Sequence, residues 1–186
     1  KIAECIDADI LDFDKINKIV KEKNIDIVIP GPEAPLVAGI VDYFAENNPN
    51  VMVFGPNKNA AQLEGSKCFT KNILQKYNIP TAAFENFDNR DKALQYIDYL
   101  ADKTDFPIVI KADGLAGGKG AVIVQNRAEA VDVLDKIMVE KVFGSAGSKV
   151  VIEEFLKGFE VSLHLVVSGE SYKLLPFSQD HKQVFD

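Results

Sequence analysis

FPIVIKADGLAGGKG, residues 106–120, decides how the rest of the chain is read. An apolar run, residues 107–110, ends at Lys111 and opens into a loop carrying Gly114, Gly117, Gly118, Lys119 and Gly120. Glycine tolerates positive φ and lets backbone N–H groups approach a guest closely. Successive N–H groups in such a loop make an anion nest, to which a lysine adds a point charge. A phosphate is the expected guest; the other reading is a hairpin tip whose glycines serve the turn alone. The common phosphate loop needs glycine where Asp113 stands and Ser or Thr where Gly120 stands, so this loop is of another kind. The run Ala121-Val122-Ile123-Val124 that follows has a β pattern rather than that of a helix start. The expected device is a strand–loop–strand lid over phosphates, with no triphosphate on a helix N-terminus.

Composition narrows the field. A chain of 186 residues holds one ordinary domain or two small ones. Its 47% apolar and 26% charged content is that of a soluble globular protein. A net charge of −7 argues against non-specific nucleic-acid binding, which needs a basic surface. No apolar run approaches the roughly 20 residues that span a bilayer, and no secretory pattern stands at the start. No membrane partner is expected. Cys5 and Cys68 have no metal-ligand spacing and read as free thiols in a reducing cytoplasm. His164 and His181 form no cluster with them by spacing.

Upstream of the loop, residues 6–10 read as a short strand. Asp12 then caps a helix with Phe13, Ile16, Ile19 and Val20 on one face. Residues 25–30 read as a buried strand. Gly31-Pro32-Glu33 follows it, at the carboxyl end where open α/β sheets place ligands. Glu33 is either a pocket-rim carboxylate or an ordinary acid favoured by a helix N-terminus. Pro35 suits the first turn of one helix through Leu36, Val37, Ile40, Val41 and Phe44. Residues 51–54 then complete a βαβ unit with parallel strands. A short helix over 57–65 ends at Gly65, and Ser66 caps the next. Lys67 and Lys71, four apart, share a face of that helix; they are either two solvated lysines or part of a site.

Beyond it, residues 82–87 are extended and 91–100 helical. After the central stretch come a helix over 129–139, a mobile loop over 142–149 and a buried strand over 150–156. An alternating strand starts at Glu160, with His164 read as a packing residue. A turn at Ser168-Gly169-Glu170 leads to a last strand over 172–175. The front is parallel α/β and the back α+β, with the change of pattern near 57–81.

The central stretch and VVIEEFLKGFEVS (150–162) together resemble the nucleotide site of the ATP-grasp superfamily. GPEAPLVAGIVD (31–42), FGPNKNAAQLEGSKCFTK (54–71) and PFSQDHK (176–182) narrow the resemblance to the glycinamide ribonucleotide synthetase, or phosphoribosylamine–glycine ligase, family. It implies an ATP-grasp fold with α/β and α+β parts. Residues 1–60 would be part of an N-terminal α/β substrate domain, 61–105 connecting helices of the ATP-grasp core, 106–167 an ATP-lid subdomain, and 168–186 the start of a C-terminal half. The implied reaction of purine biosynthesis joins glycine to 5-phosphoribosylamine at the expense of ATP. Glycyl phosphate is the intermediate, and magnesium and lysines offset the moving charge.

By matching position, the resemblance puts Lys67 and Lys111 on ATP phosphates. Gly114, Gly117, Gly118, Lys119 and Gly120 would form the lid. Glu153 would line the adenine pocket, the Glu154 carbonyl and Leu156 N–H would hold the adenine edge, and Glu160 the ribose hydroxyls. Gly31, Pro32 and Glu33 match the phosphoribosylamine side; Asp180, His181 and Lys182 match a segment near the acceptor. Lys111, Asp180 and Lys182 are the catalytic candidates, through orientation and charge neutralisation. His181 is either part of that apparatus or a structural hydrogen-bonding residue. Lys71 falls one turn beyond the matching position and is the weaker candidate. Gln183 stands where the family usually has Arg, and Gly117 where it more often has Ala. The ribose-phosphate turn is expected before Lys1, and the magnesium and glycine ligands after Asp186, so the chain is expected to be a piece of a longer protein. Another ATP-grasp carboxylate ligase or carboxylase, or a nucleotide-binding module inactive by itself, are the alternatives.

Overall fold

A computed structural model describes residues 2–179. The chain divides after Phe155 into two compact units.

The first unit begins with α1 (Phe13–Glu22), where Asp12 accepts from the Lys15 N–H at 3.0 Å. β1 (Ile27–Val28), α2 (Glu33–Ala38), α3 (Ile40–Asn47) and β2 (Met52–Val53) follow, and β1 pairs with β2 in parallel as a βαβ unit requires. Val20, Ile40 and Phe44 form a small core beneath them. Three expectations are corrected. Residues 6–10 form no strand. The strand expected over 25–30 pairs over two residues only, and Ile25, Ile27 and Ile29 are exposed. Strand residues alternate between faces, and only Val28 and Val53 turn toward the core. The helix expected through Phe44 breaks at Gly39, whose φ of +102° ends α2 and starts α3.

α4 (Lys58–Gly65) is capped by Asn57 and α5 (Lys67–Lys76) by Ser66, each accepting from an N–H of the first turn. The main sheet holds β3 (Phe84–Phe87), β4 (Ile108–Ala112), β5 (Ala121–Val124) and β6 (Val150–Glu154), in the order β3-β6-β4-β5 with antiparallel neighbours throughout. α6 (Arg90–Thr104) and α7 (Arg127–Leu134) cover one face. There Ile108, Ile110, Val124, Val150 and Ile152 meet Ile97, Leu100 and Leu134. The period of two then sends Lys111 and Glu153 to the other face. The helix expected over 129–139 ends at Leu134 and continues as a π turn, Asp135–Val139. The loop expected to be mobile over 142–149 contains a 3₁₀ helix, Gly144–Ser148. Gly147 is buried in it so closely that an added Cβ would lie 2.3 Å from the Ile137 carbonyl oxygen.

In the second unit, β7 (Val161–Ser162) pairs antiparallel with β10 (Ser178–Gln179). β8 (Leu165–Ser168) forms a hairpin with β9 (Ser171–Leu174), turning at Gly169. His164 lies between β7 and β8 and is exposed, so it is not the packing residue expected. No helix among the described residues is long and apolar enough to cross a membrane.

Candidate nucleotide site

β4 and β6 lie side by side, which sets Lys111 next to Glu153 on the sheet face away from α6 and α7. Lys111 Nζ donates to Glu153 Oε2 at 2.9 Å. From α5, Lys71 Nζ reaches Glu153 Oε1 at 3.2 Å, an ion pair without hydrogen-bond alignment. Lys71 also donates to Thr81 Oγ1 at 2.6 Å and lies 5.1 Å from the centroid of the Phe84 ring, a cation–π distance. Glu153 is only 4% exposed. Two ammonium groups thus share one buried carboxylate, and one positive charge is in excess.

Lys67, the first residue of α5, donates from Nζ to the Gly114 carbonyl at 3.3 Å, and its backbone N–H bonds to the Asp113 carbonyl at 2.9 Å. Asp113 also accepts from the Ser66 hydroxyl and the Cys68 N–H, each at 2.8 Å. The glycine loop is thereby stitched to the start of α5. Together Leu63, Glu64, Lys67, Thr70, Lys71, Lys111, Ala121 and Glu153 enclose a cavity of about 310 Å³. That is at the small end of the usual range for ligand sites.

The glycines of the loop serve different needs. Gly117 and Gly118 are exposed, with φ of +57° and +76°. Gly114 and Gly120 instead give room, since a Cβ would meet Ala146 Cβ at 2.8 Å and Ala116 Cβ at 2.6 Å respectively. The N–H groups of Gly114 and Lys119 bond to the Ala146 and Ala116 carbonyls. Beside the loop, Cys68 is buried; desolvation, with the charge of Asp113, pushes its thiol up to about 12.

Lys67, Lys111, Glu153 and the start of the glycine loop therefore come together, the grouping that the family resemblance implied. Glu154 adjoins them on β6, its Oε1 accepting from the Ala83 N–H at 2.8 Å. Gly31, Pro32 and Glu33 lie at the carboxyl end of β1 and the start of α2, and none of them lines the cavity. Leu156 and Glu160 belong to the second unit. Asp180, His181 and Lys182 lie outside the described residues. Lys71, placed below Lys67 as a candidate, also lines the cavity, on the helix face that its spacing from Lys67 indicated. Sequence reasoning missed Thr81 and the tether at Asp113, which carry no local signal. Among the described residues no group of His, Cys, Asp and Glu is arranged to hold a metal ion.

A lysine-lined cavity under an antiparallel sheet, with a glycine loop between two of its strands, is the arrangement of the ATP-grasp fold. The chain superimposes on N5-carboxyaminoimidazole synthetase from Staphylococcus aureus complexed with ADP, with a TM-score of 0.68 and 18% identity, over 96% of this chain and 43% of that one. Family profiles narrow this. The one described as phosphoribosylglycinamide synthetase, N domain, matches residues 1–64, and the one described as its ATP-grasp (A) domain matches 65–186. The chain belongs to the phosphoribosylglycinamide synthetase family. It is 49% identical to the phosphoribosylamine–glycine ligase of Fusobacterium nucleatum, over 92% of this chain and 38% of that protein. Identity to that of Rhodopirellula baltica is 46%, over 97% and 41%. The crystal structure of the Thermotoga maritima ligase superimposes with a TM-score of 0.68 and 34% identity, over 87% of this chain and 38% of that one. The chain thus spans roughly two fifths of the length of these relatives.

Proposed function

We propose that the cavity receives the phosphates of ATP, and that the protein carrying this chain joins glycine to 5-phosphoribosylamine in purine biosynthesis. One observation carries the reading: Lys67, Lys71 and Lys111 converge on a single cavity beside the glycine loop, in a chain of net charge −7. The γ-phosphoryl group passes to the glycine carboxylate oxygen. The phosphoribosylamine nitrogen then attacks the carbonyl carbon, its proton is lost, and the C–O bond to phosphate breaks. Glycinamide ribonucleotide, ADP and phosphate result. A phosphate is a far better leaving group than the oxide of a free carboxylate, which is why ATP is needed.

In this reading Lys67 and Lys111 neutralise phosphate charge, and Gly114, Gly117, Gly118, Lys119 and Gly120 close over it. Glu153, the Glu154 carbonyl and the Leu156 N–H border the adenine, and Glu160 takes the ribose hydroxyls. Gly31, Pro32 and Glu33 face phosphoribosylamine, while Asp180, His181 and Lys182 orient the acceptor. Residues 1–60 serve as substrate domain, 61–105 as connecting helices of the core, 106–167 as lid, and 168–186 as the start of the C-terminal half. Magnesium bound with ATP would supply further charge neutralisation, from ligands outside the described residues. Free Cys5 and Cys68 suit a reducing cytoplasm.

Calorimetry of the chain with ATP, with and without magnesium, tests the site; weak binding without turnover is expected. Product formation by the full-length protein from glycine, phosphoribosylamine and ATP tests the reaction. Turnover with bicarbonate in place of those acceptors would move the assignment to a carboxylase.

A further inference from the structure

We propose that Lys71 is a resident counter-ion for Glu153, and that its presence frees Lys111 to leave that carboxylate and meet an incoming phosphate. The inference rests on the nucleotide reading above and deepens it. The two lysines differ in how they are held. Lys71, with a side chain 10% exposed, is anchored by Thr81 Oγ1 and by the Phe84 ring. Lys111 has a side chain 29% exposed, and its hydrogen bond is to Glu153. Both line the cavity, but only Lys111 can turn into it without giving up other anchors.

The carboxylate between them sets the balance. Glu153 has a side chain 6% exposed, and a buried charge stripped of its partner is heavily penalised. If Lys111 were its sole counter-ion, moving that ammonium to a phosphate would strand the carboxylate. Lys71 removes the penalty, because at 3.2 Å it stays with Glu153 when Lys111 departs. Lys71 is therefore a positioning residue: it acts on the nucleotide through Glu153 and Lys111.

Charge removal on both sides of the pair separates this role from packing. ATP binding is measured by calorimetry on the full chain and on Lys71→Met, Glu153→Gln and the double variant. Lys71→Met should weaken ATP about tenfold or more, because Lys111 is then tied to Glu153. Glu153→Gln in that background should restore affinity to within about threefold of Glu153→Gln alone, the coupling expected of neighbours in one charge network. A packing role for Lys71 would give no such rescue. Should Lys71→Met fail to fold, the double variant, which buries no unpaired carboxylate, still decides. If it is unfolded, or binds ATP about tenfold more weakly than Glu153→Gln, the inference is overturned. Unchanged binding by a folded Lys71→Met overturns the inference alone. A wild-type chain that binds no ATP overturns the nucleotide reading and the inference with it.

Discussion

The carboxylate of Asp113 accepts a hydrogen bond from the hydroxyl of Ser66 at 2.8 Å, across 47 residues of sequence. The same oxygen takes the Cys68 N–H, the Asp113 carbonyl takes that of Lys67, and Ser66 Oγ takes that of Phe69. A helix start needs partners for its first N–H groups. Here the first residue after β4 supplies two of them, so the glycine loop and α5 are set in place by one another.

Asp113→Ala should therefore cost about 1–2 kcal/mol of stability, as for the loss of a helix cap together with a partly buried hydrogen bond. It should also weaken ATP binding, because the loop loses its side-chain ties to Ser66 and the Cys68 N–H on either side of Lys67, and only the Asp113 carbonyl still holds the Lys67 N–H. Urea unfolding and calorimetry on the same variant check both; a drop in stability with unchanged affinity would show that the tether does not serve the site.

Two glycines of one loop should respond differently. Gly118 lies at φ +76° in open space, so Gly118→Ala should strain the loop by about 1 kcal/mol and show mainly as weaker ATP binding. In Gly114→Ala the new Cβ would sit 3.0 Å from the Ala146 Cα, and the main loss should be in melting temperature. Equal effects of the two on both readouts would contradict this division.

Gly147→Ala should be among the most damaging single changes. Its Cβ would come within 2.3 Å of the Ile137 backbone oxygen, and neither backbone can easily move. A loss of about 2–4 kcal/mol is expected from overpacking of this kind, and thermal unfolding would measure it.

Lys111→Met should lower ATP affinity strongly while leaving the fold nearly intact. Glu153 keeps Lys71 at 3.2 Å, and the removed ammonium is the more exposed of the two. Retained affinity in a folded Lys111→Met chain would remove Lys111 from the phosphate site.

Cys68 should resist alkylation at pH 8 while exposed Cys5 reacts. Burial, then the neighbouring Asp113 charge, pushes the Cys68 thiol up from 9.0 to about 12. With the folded value raised, the protonated thiol is favoured in the native state. Its contribution is fully present below the unfolded value near 9 and is lost as pH climbs toward 12. Mass spectrometry after labelling, and unfolding measured from pH 8 to 11, would report the two effects; a steeper loss in wild type than in Cys68→Ala is expected.

Local pattern alone was enough for much of this protein. The run ending at Lys111, the glycines after it, the Ser66 and Asp12 caps and the apolar run that opens β6 are short-range signals, since apolar pattern and capping depend on neighbours in sequence. Those signals led to a strand–loop–strand device; Lys67, Lys111 and Glu153 were joined as one site only by the family resemblance. The local signals misjudged residues 25–30 and the helix through Phe44, because apolar runs do not say how many strands lie alongside or where one αL glycine breaks a helix. Only the fold could join Asp113 to Ser66, or Lys71 to Glu153 across 82 residues of chain between α5 and β6. Ion pairs and tethers of that kind are set by which side chains the packed sheet and helices bring within a few ångströms. Sequence separation carries no information about that distance until the chain has folded.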